Sequence, residues 1–219
     1  MPQRVPKRRY FNFAFPCRYR SRAPKIDGSL RDWHKRFLVP DLMTIEEREA
    51  YADISMAWNE NGIYFALNLK GKVNPLTVNP AEPPKADCFE VWLDMRDARN
   101  MHHAGRYCHH FQFLPIGGGR DAKEATGQQI AIARAPERSN ICDPDILEVA
   151  AKTTRQGYAM EVSIPAEALT GFDPEENPRL GFTYLLNDTH LGTQWWSVST
   201  HFRFRSNPSM WGTTVLSRE

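Results

Sequence analysis

No apolar run in this sequence is long enough to cross a bilayer as a helix, and the stretch Tyr10-Phe11-Asn12-Phe13-Ala14-Phe15-Pro16 is too short, and too closely followed by arginines, to serve as a secretory signal. Neither export nor a membrane span is expected, and a cytoplasmic location is favoured. Cysteine is scarce: Cys17, Cys88, Cys108 and Cys142 are widely spread with no paired spacing. That pattern signals neither a disulfide framework nor a zinc site, and it reads as free thiols in a reducing compartment. Long amphipathic helical patterns and internal repeats are missing too, which argues against alternating β and α units. Acidic residues are absent until Asp27, whereas Arg4, Lys7, Arg8, Arg9, Arg18, Arg20, Arg22 and Lys25 all precede it. The net charge of +2 hides this asymmetry.

Many short stretches alternate with period two between turn-rich links. Strands are expected over 54–58, 63–69 across an Asn59-Glu60-Asn61-Gly62 turn, 87–94, 107–114, 130–133, 147–154, 158–164, 180–187, 194–198 and 213–216. The links 73–85 and 117–129 are polar and rich in proline or glycine, and they are read as loops. A short helix is expected around 44–51, since Thr44 and Glu47 have capping-box spacing. This pattern predicts an all-β fold, an antiparallel sandwich or barrel, with the expectation placed on a two-sheet β-sandwich, jelly-roll-like, with short helical insertions. The chain divides into a basic extended arm over 1–23 and a sandwich over 24–219.

The most informative strand is Asp87-Cys88-Phe89-Glu90-Val91-Trp92-Leu93-Asp94. Phe89, Val91 and Leu93 share one face; Cys88, Glu90, Trp92 and Asp94 share the other. A carboxylate beside an indole suits a polyhydroxylated ligand, because one accepts hydroxyl hydrogen bonds and the other packs on C–H surface. By the same parity Cys108, His110 and Gln112 oppose the core-like Phe111 and Phe113, and Thr183, Leu185 and Asn187 oppose Phe182, Tyr184 and Leu186.

The order of segments resembles the family 9 carbohydrate-binding module and the wider DOMON-like sandwich group. The resemblance runs through Ile26-Asp27-Gly28 with Trp33, the hairpin from Met56 to Ala66, the Asp87–Asp94 strand, Phe111-Gln112-Phe113, the run from Gly157 to Pro165, Gly181-Phe182 to Asn187-Asp188, and Asn207-Pro208-Ser209-Met210-Trp211-Gly212. It implies a non-catalytic saccharide-binding domain. Members bind sugar termini between two tryptophans. Here the first position falls within Asn79–Lys85, which has no aromatic residue, and the second falls near Phe204-Arg205. The implied ligand residues are Glu90, Gln112 and Asn187, to which the face adds Trp92, as a substitute platform, and His110. Trp196, Arg203 and Arg205 join from the late segment. No cofactor is required. The family often carries structural calcium, for which Asp94, Asp97 and Asp188 are the candidate ligands.

Other chemistries are weaker. His102, His103, His109 and His110 tempt a transition-metal reading, but adjacent strand residues point apart. Glu90 with Glu161 would be a glycosidase pair only if the two met in space, and Glu161 belongs to a Tyr-x-x-Glu-x-x-Ile-Pro run that reads as structural. Haem would need an axial pair from Met95, Met101 and His110. The alternative class is a structural or adaptor sandwich with a decayed sugar site that docks a protein partner through residues 1–23. Nucleic acid is not expected, since the arm lacks a recognised module.

Overall fold

Core formation follows the alternation. Phe89, Val91 and Leu93 of one strand, Phe111 and Phe113 of the next, and Phe182, Tyr184 and Leu186 of a third meet Ile63, Phe65, Leu67, Met160, Val162 and Ile164 in one apolar cluster. Nearly all are shut off from solvent. A large apolar side chain buried in this way contributes about 2 kcal/mol, so this cluster is the main stabilising element. The computed structural model describes residues 7–79, 81–198 and 202–219.

The described residues form eleven strands with short 3-10 turns between them. The strands are β1 (Ala14–Tyr19), β2 (Ala52–Asn59), β3 (Gly62–Lys70), β4 (Cys88–Asp94), β5 (Cys108–Gly118), β6 (Glu124–Ile130), β7 (Glu148–Thr154), β8 (Gly157–Pro165), β9 (Arg179–Asp188), β10 (Gly192–Trp195) and β11 (Gly212–Ser217). The chain is thus all-β. The hydrogen-bond ladder runs through them in the order β6-β5-β4-β9-β11-β1-β2-β3-β8-β7, with β10 on β9, without dividing into two separate sheets. The sheet rolls until its ends approach. A Cβ added at Gly127 of β6 would lie 3.0 Å from Val149 of β7 and 2.6 Å from the Phe113 ring, so glycine is what lets these ends close.

Pairing is antiparallel except at β1, which runs parallel to both β11 and β2. A parallel pair needs a long crossover, and residues 20–51 between β1 and β2 supply one. The segment read as an arm therefore contributes a strand to the middle of the sheet. Pro16 and the flanking basic residues conceal it in the sequence. Its charges are also engaged by the domain: Lys7 pairs with Glu47 at the surface, and Arg8 is fully buried, bonding the Trp195 carbonyl at 2.9 Å and Glu46 at 3.1 Å. Arg20 pairs with Asp32. Arg4, like the rest of residues 1–6, lies outside the described residues.

Two local expectations change. The helix expected at 44–51 is a single 3-10 turn, Met43–Glu46, because Asp41 rather than Thr44 caps Met43 N–H (2.8 Å) and Glu47 ends it at φ 58. The strand expected at 130–133 lies earlier, at Glu124–Ile130. Its residues are polar and half-exposed at the end of the ladder, so hydropathy does not mark them.

Candidate functional site

The register builds a polar row across three strands. On β4, Glu90 stands between Leu185 of β9 and Gln112 of β5, and Gln112 in turn faces Gln128 of β6. Gln128 Nε2 donates to Gln112 Oε1 (3.3 Å), and Gln112 Nε2 donates to Glu90 Oε2 (2.9 Å). Two amides and a carboxylate are thereby oriented in series. Gln128 was hidden in a stretch read as loop; only its spacing from Gly127 and Ile130 hints at the strand.

Glu90 is almost fully buried, and its Oε2 also accepts from His110 Nε2 (2.9 Å) and Arg205 Nη1 (2.8 Å). Its Oε1 is buried without a partner among the described residues. Burial pushes the Glu90 pKa up, but hydrogen bonds from His110 and Arg205 outweigh it and hold the group well below the usual carboxylate range. Glu90 is therefore an acceptor only. Burial keeps His110 neutral by lowering its pKa, so its Nε2 carries the proton that the carboxylate receives.

The row ends in a cleft of about 220 Å³ lined by Gln112, Leu114, Gly117, Thr126, Gly127 and Gln128, with Pro83 and Pro144 at its sides. Amide groups and apolar walls share this space. Only Gln112 among the expected ligand residues lines it.

A family model for carbohydrate family 9 binding domain-like sequences matches residues 31–219. The chain belongs to this family. Solved structures agree in fold. A family 9 carbohydrate-binding module from Caldicellulosiruptor kristjanssonii in complex with cellotriose is 18% identical, with TM-score 0.66 over 94% of this chain and 95% of that one. A family 9 module from the same organism in complex with glucose is 16% identical, with TM-score 0.62 over 94% and 97%. A Bacteroides uniformis ATCC 8492 protein is 11% identical, with TM-score 0.56 over 94% and 100%. No curated protein matches the sequence significantly.

In this family 9 domain the expected tryptophan platform is closed. Trp92 is fully buried, stacked on His110 at 4.2 Å between ring centroids and met edge-on by Phe204 at 5.1 Å. Phe204, Trp195, Trp211, Leu185 and Ile132 complete a second apolar cluster over it. Trp196 is also buried: it packs on Phe15 and Phe182 in the main core and donates Nε1 to the Pro40 carbonyl (3.0 Å). Asn187, partly exposed, donates to the Ala86 carbonyl (2.7 Å) and so fixes the turn beside the cleft. Arg205 is 43% exposed and reaches back onto Glu90, while Arg203 is exposed. Pro80, in the segment where the first family tryptophan would fall, is outside the described residues.

The expected calcium ligands do not fit one ion. Asp94 and Asp188 sit at opposite ends of the β4–β9 ladder, Asp94 facing Gly181 and Asp188 following the Asn187 that faces Cys88. Asp94 accepts Arg96 and Ala98 N–H, and Asp97 pairs with Arg179 and Thr213. Asp188 instead meets Lys72 Nζ at 3.0 Å. Among the described residues, no three His, Cys, Asp or Glu side chains are arranged to hold a metal. Glu161 lies on β8, bound to Trp33 and the 27–29 turn, far in the ladder from Glu90 on β4. No helix among the described residues is long and apolar enough to cross a membrane.

His109 points away from His110. Its Nε2 donates to the Thr170 carbonyl (3.2 Å) and its Nδ1 accepts from Gln129 (3.0 Å), so both nitrogens are satisfied in the neutral ring. Burial, opposed by the Thr170 carbonyl, lowers its pKa to about 4. A folded pKa below the unfolded one gives stability that is present above about pH 6.5 and lost as pH falls towards 4. The expected loss from this group is about 3 kcal/mol, measured as a falling urea midpoint, with a flatter pH profile in His109→Gln.

Proposed function

We propose that this chain is a non-catalytic carbohydrate-binding domain whose saccharide sits in the cleft bounded by Pro83, Gln112, Gln128 and Pro144. The observation that carries this reading is the Glu90–Gln112–Gln128 row, which leads from a buried, ionised carboxylate to amides on the cleft wall. Gln112 and Gln128 supply amide donors and acceptors for sugar hydroxyls, and Leu114 and the two prolines supply apolar wall for ring C–H groups. Glu90 acts behind Gln112. By accepting from Nε2 it fixes which way that amide presents its oxygen. Arg205 and His110 keep Glu90 ionised and immobile. Family membership supports the reading, as do the two structural neighbours in complex with cellotriose and with glucose.

Isothermal titration of the native chain with glucose and with cellotriose tests it. Saturable heat is expected from at least one sugar. Gln128→Ala, a change at a partly exposed side chain, is expected to weaken binding about tenfold, the equivalent of one lost hydrogen bond, with little change in Tm. An absence of heat with both sugars sinks the reading.

A further inference from the structure

A second polar trough lies away from this cleft, on the outer face of β2 and β3. Ile54 and Leu67 point into the main core, which sends Asp53, Ser55, Ala66 and Asn68 to the other side, with Ser55 paired to Ala66 and Asp53 to Asn68. Small side chains at Ser55 and Ala66 leave a low floor. The segment 30–38 crosses over it, held by the Leu38–Ser55 bridge and by Val39 N–H on the Ile54 carbonyl (2.8 Å). The resulting space is about 290 Å³ and is lined by Leu30, Trp33, His34, Leu38, Ser55 and Asn68, among others.

Two features distinguish this trough from an unfilled dent. Trp33 is held rigidly: its Nε1 donates to buried Glu161 (2.9 Å), and Phe37 meets it edge-on at 5.8 Å between centroids. The partly exposed indole is therefore pre-positioned on the trough wall. The Ser55 hydroxyl, the Asn68 amide and the His34 imidazole, all lining the trough, make no side-chain hydrogen bond among the described residues. A rigid indole beside a free hydroxyl, amide and imidazole matches a ligand that alternates C–H and O–H groups.

Other ligand classes fit less well. β3 is paired along its length by β2 and β8, and the other side of β2 is met by β1 at Ala57 and Trp58 and by Leu38 and Val39 at Ser55 and Ile54, so the segment 30–38 already occupies the edge that an added peptide strand would use. Lys35 and Asp53 are the charged residues of the lining, one of each sign, so the lining carries no net charge that would select an ion.

We propose that the trough formed by Trp33, His34, Ser55 and Asn68 is a second, independent site for an uncharged saccharide ring. Between it and β4 lie β9, β11 and β1 in the ladder. A chain with two such sites engages two segments of one polymer, or two polymers at once, and gains avidity without new contacts.

The test uses the full chain labelled with nitrogen-15 and titrated with glucose, galactose, mannose and cellotriose. The Trp33 indole N–H and the Asn68 side-chain amide report on the trough; the Gln112 and Gln128 amides report on the cleft in the same spectra. At least one sugar is expected to shift the trough signals saturably. Ser55→Ala with Asn68→Ala, and separately His34→Ala, should each weaken that response about tenfold, while Gln128→Ala leaves it unchanged. The proposal is overturned if none of the four sugars moves the trough signals, or if the shifts survive intact in both variants. Failure of the cleft signals alone leaves this site standing and removes the other.

Discussion

Replacing Glu161 with alanine is expected to destabilise the fold by about 4 kcal/mol. The carboxylate has no solvent exposure and collects four donors from a distant turn. Oε2 accepts Asp27 N–H at 3.1 Å, Gly28 N–H at 2.8 Å and Ser29 N–H at 3.1 Å, while Oε1 accepts the Trp33 indole at 2.9 Å. Gly28 adopts φ 75, which aims these consecutive amides at one point and which a side chain would strain. Each orphaned buried donor costs about 1–3 kcal/mol, and the freed turn recovers part of the loss by reaching water. Glutamine restores acceptors but sets an NH2 group against donors, so Glu161→Gln should fall between native and alanine. Urea unfolding at constant m-value measures the order. A loss under about 1 kcal/mol for alanine would mean that the turn docks by other means.

Lys72→Met is the second large effect. Lys72 Nζ lies 3.0 Å from both Asp87 Oδ2 and Asp188 Oδ2, and all three side chains are almost completely buried. The remaining lone pairs are used locally: Asp87 accepts Thr77 N–H and both Thr189 donors, and Asp188 accepts His190 and Leu191 N–H. Removing the ammonium leaves two uncompensated charges in a low-dielectric site, a loss of about 3–5 kcal/mol. Lys72→Met combined with Asp188→Asn should lose less than Lys72→Met alone, because one of those charges is gone. Thermal unfolding of native, single and double variants tests the coupling. Equal Tm for native and single variant would show that the lysine carries no structural load.

These two residues show unevenly how much the sequence discloses. Glu161 stands in a recognisable strand pattern, and Ile26-Asp27-Gly28 with Trp33 is visible as a turn with anchors; that they bind each other is a contact across more than a hundred residues. Lys72 follows a glycine in a stretch without periodicity, and nothing local marks it as buried. The strands with apolar alternation were legible for the same reason that they form: one face must be covered. Parity alone put Glu90, Trp92, His110 and Gln112 on one side, and the register pairs them as that parity requires. It could not tell whether that side was open. Phe204 and Arg205, more than a hundred positions later, seal the Trp92 end, while the cleft opens at Gln112 and Gln128 on strands whose polar composition resembled a loop.

The most direct measurement is a crystal structure of the native chain soaked with cellotriose. A sugar ring is expected in the cleft between Pro83 and Pro144, with hydroxyls on the Gln112 and Gln128 amides and Trp92 still stacked on His110. A cleft left empty while sugar occupies the Trp92 position, with Arg205 displaced from Glu90, would contradict it.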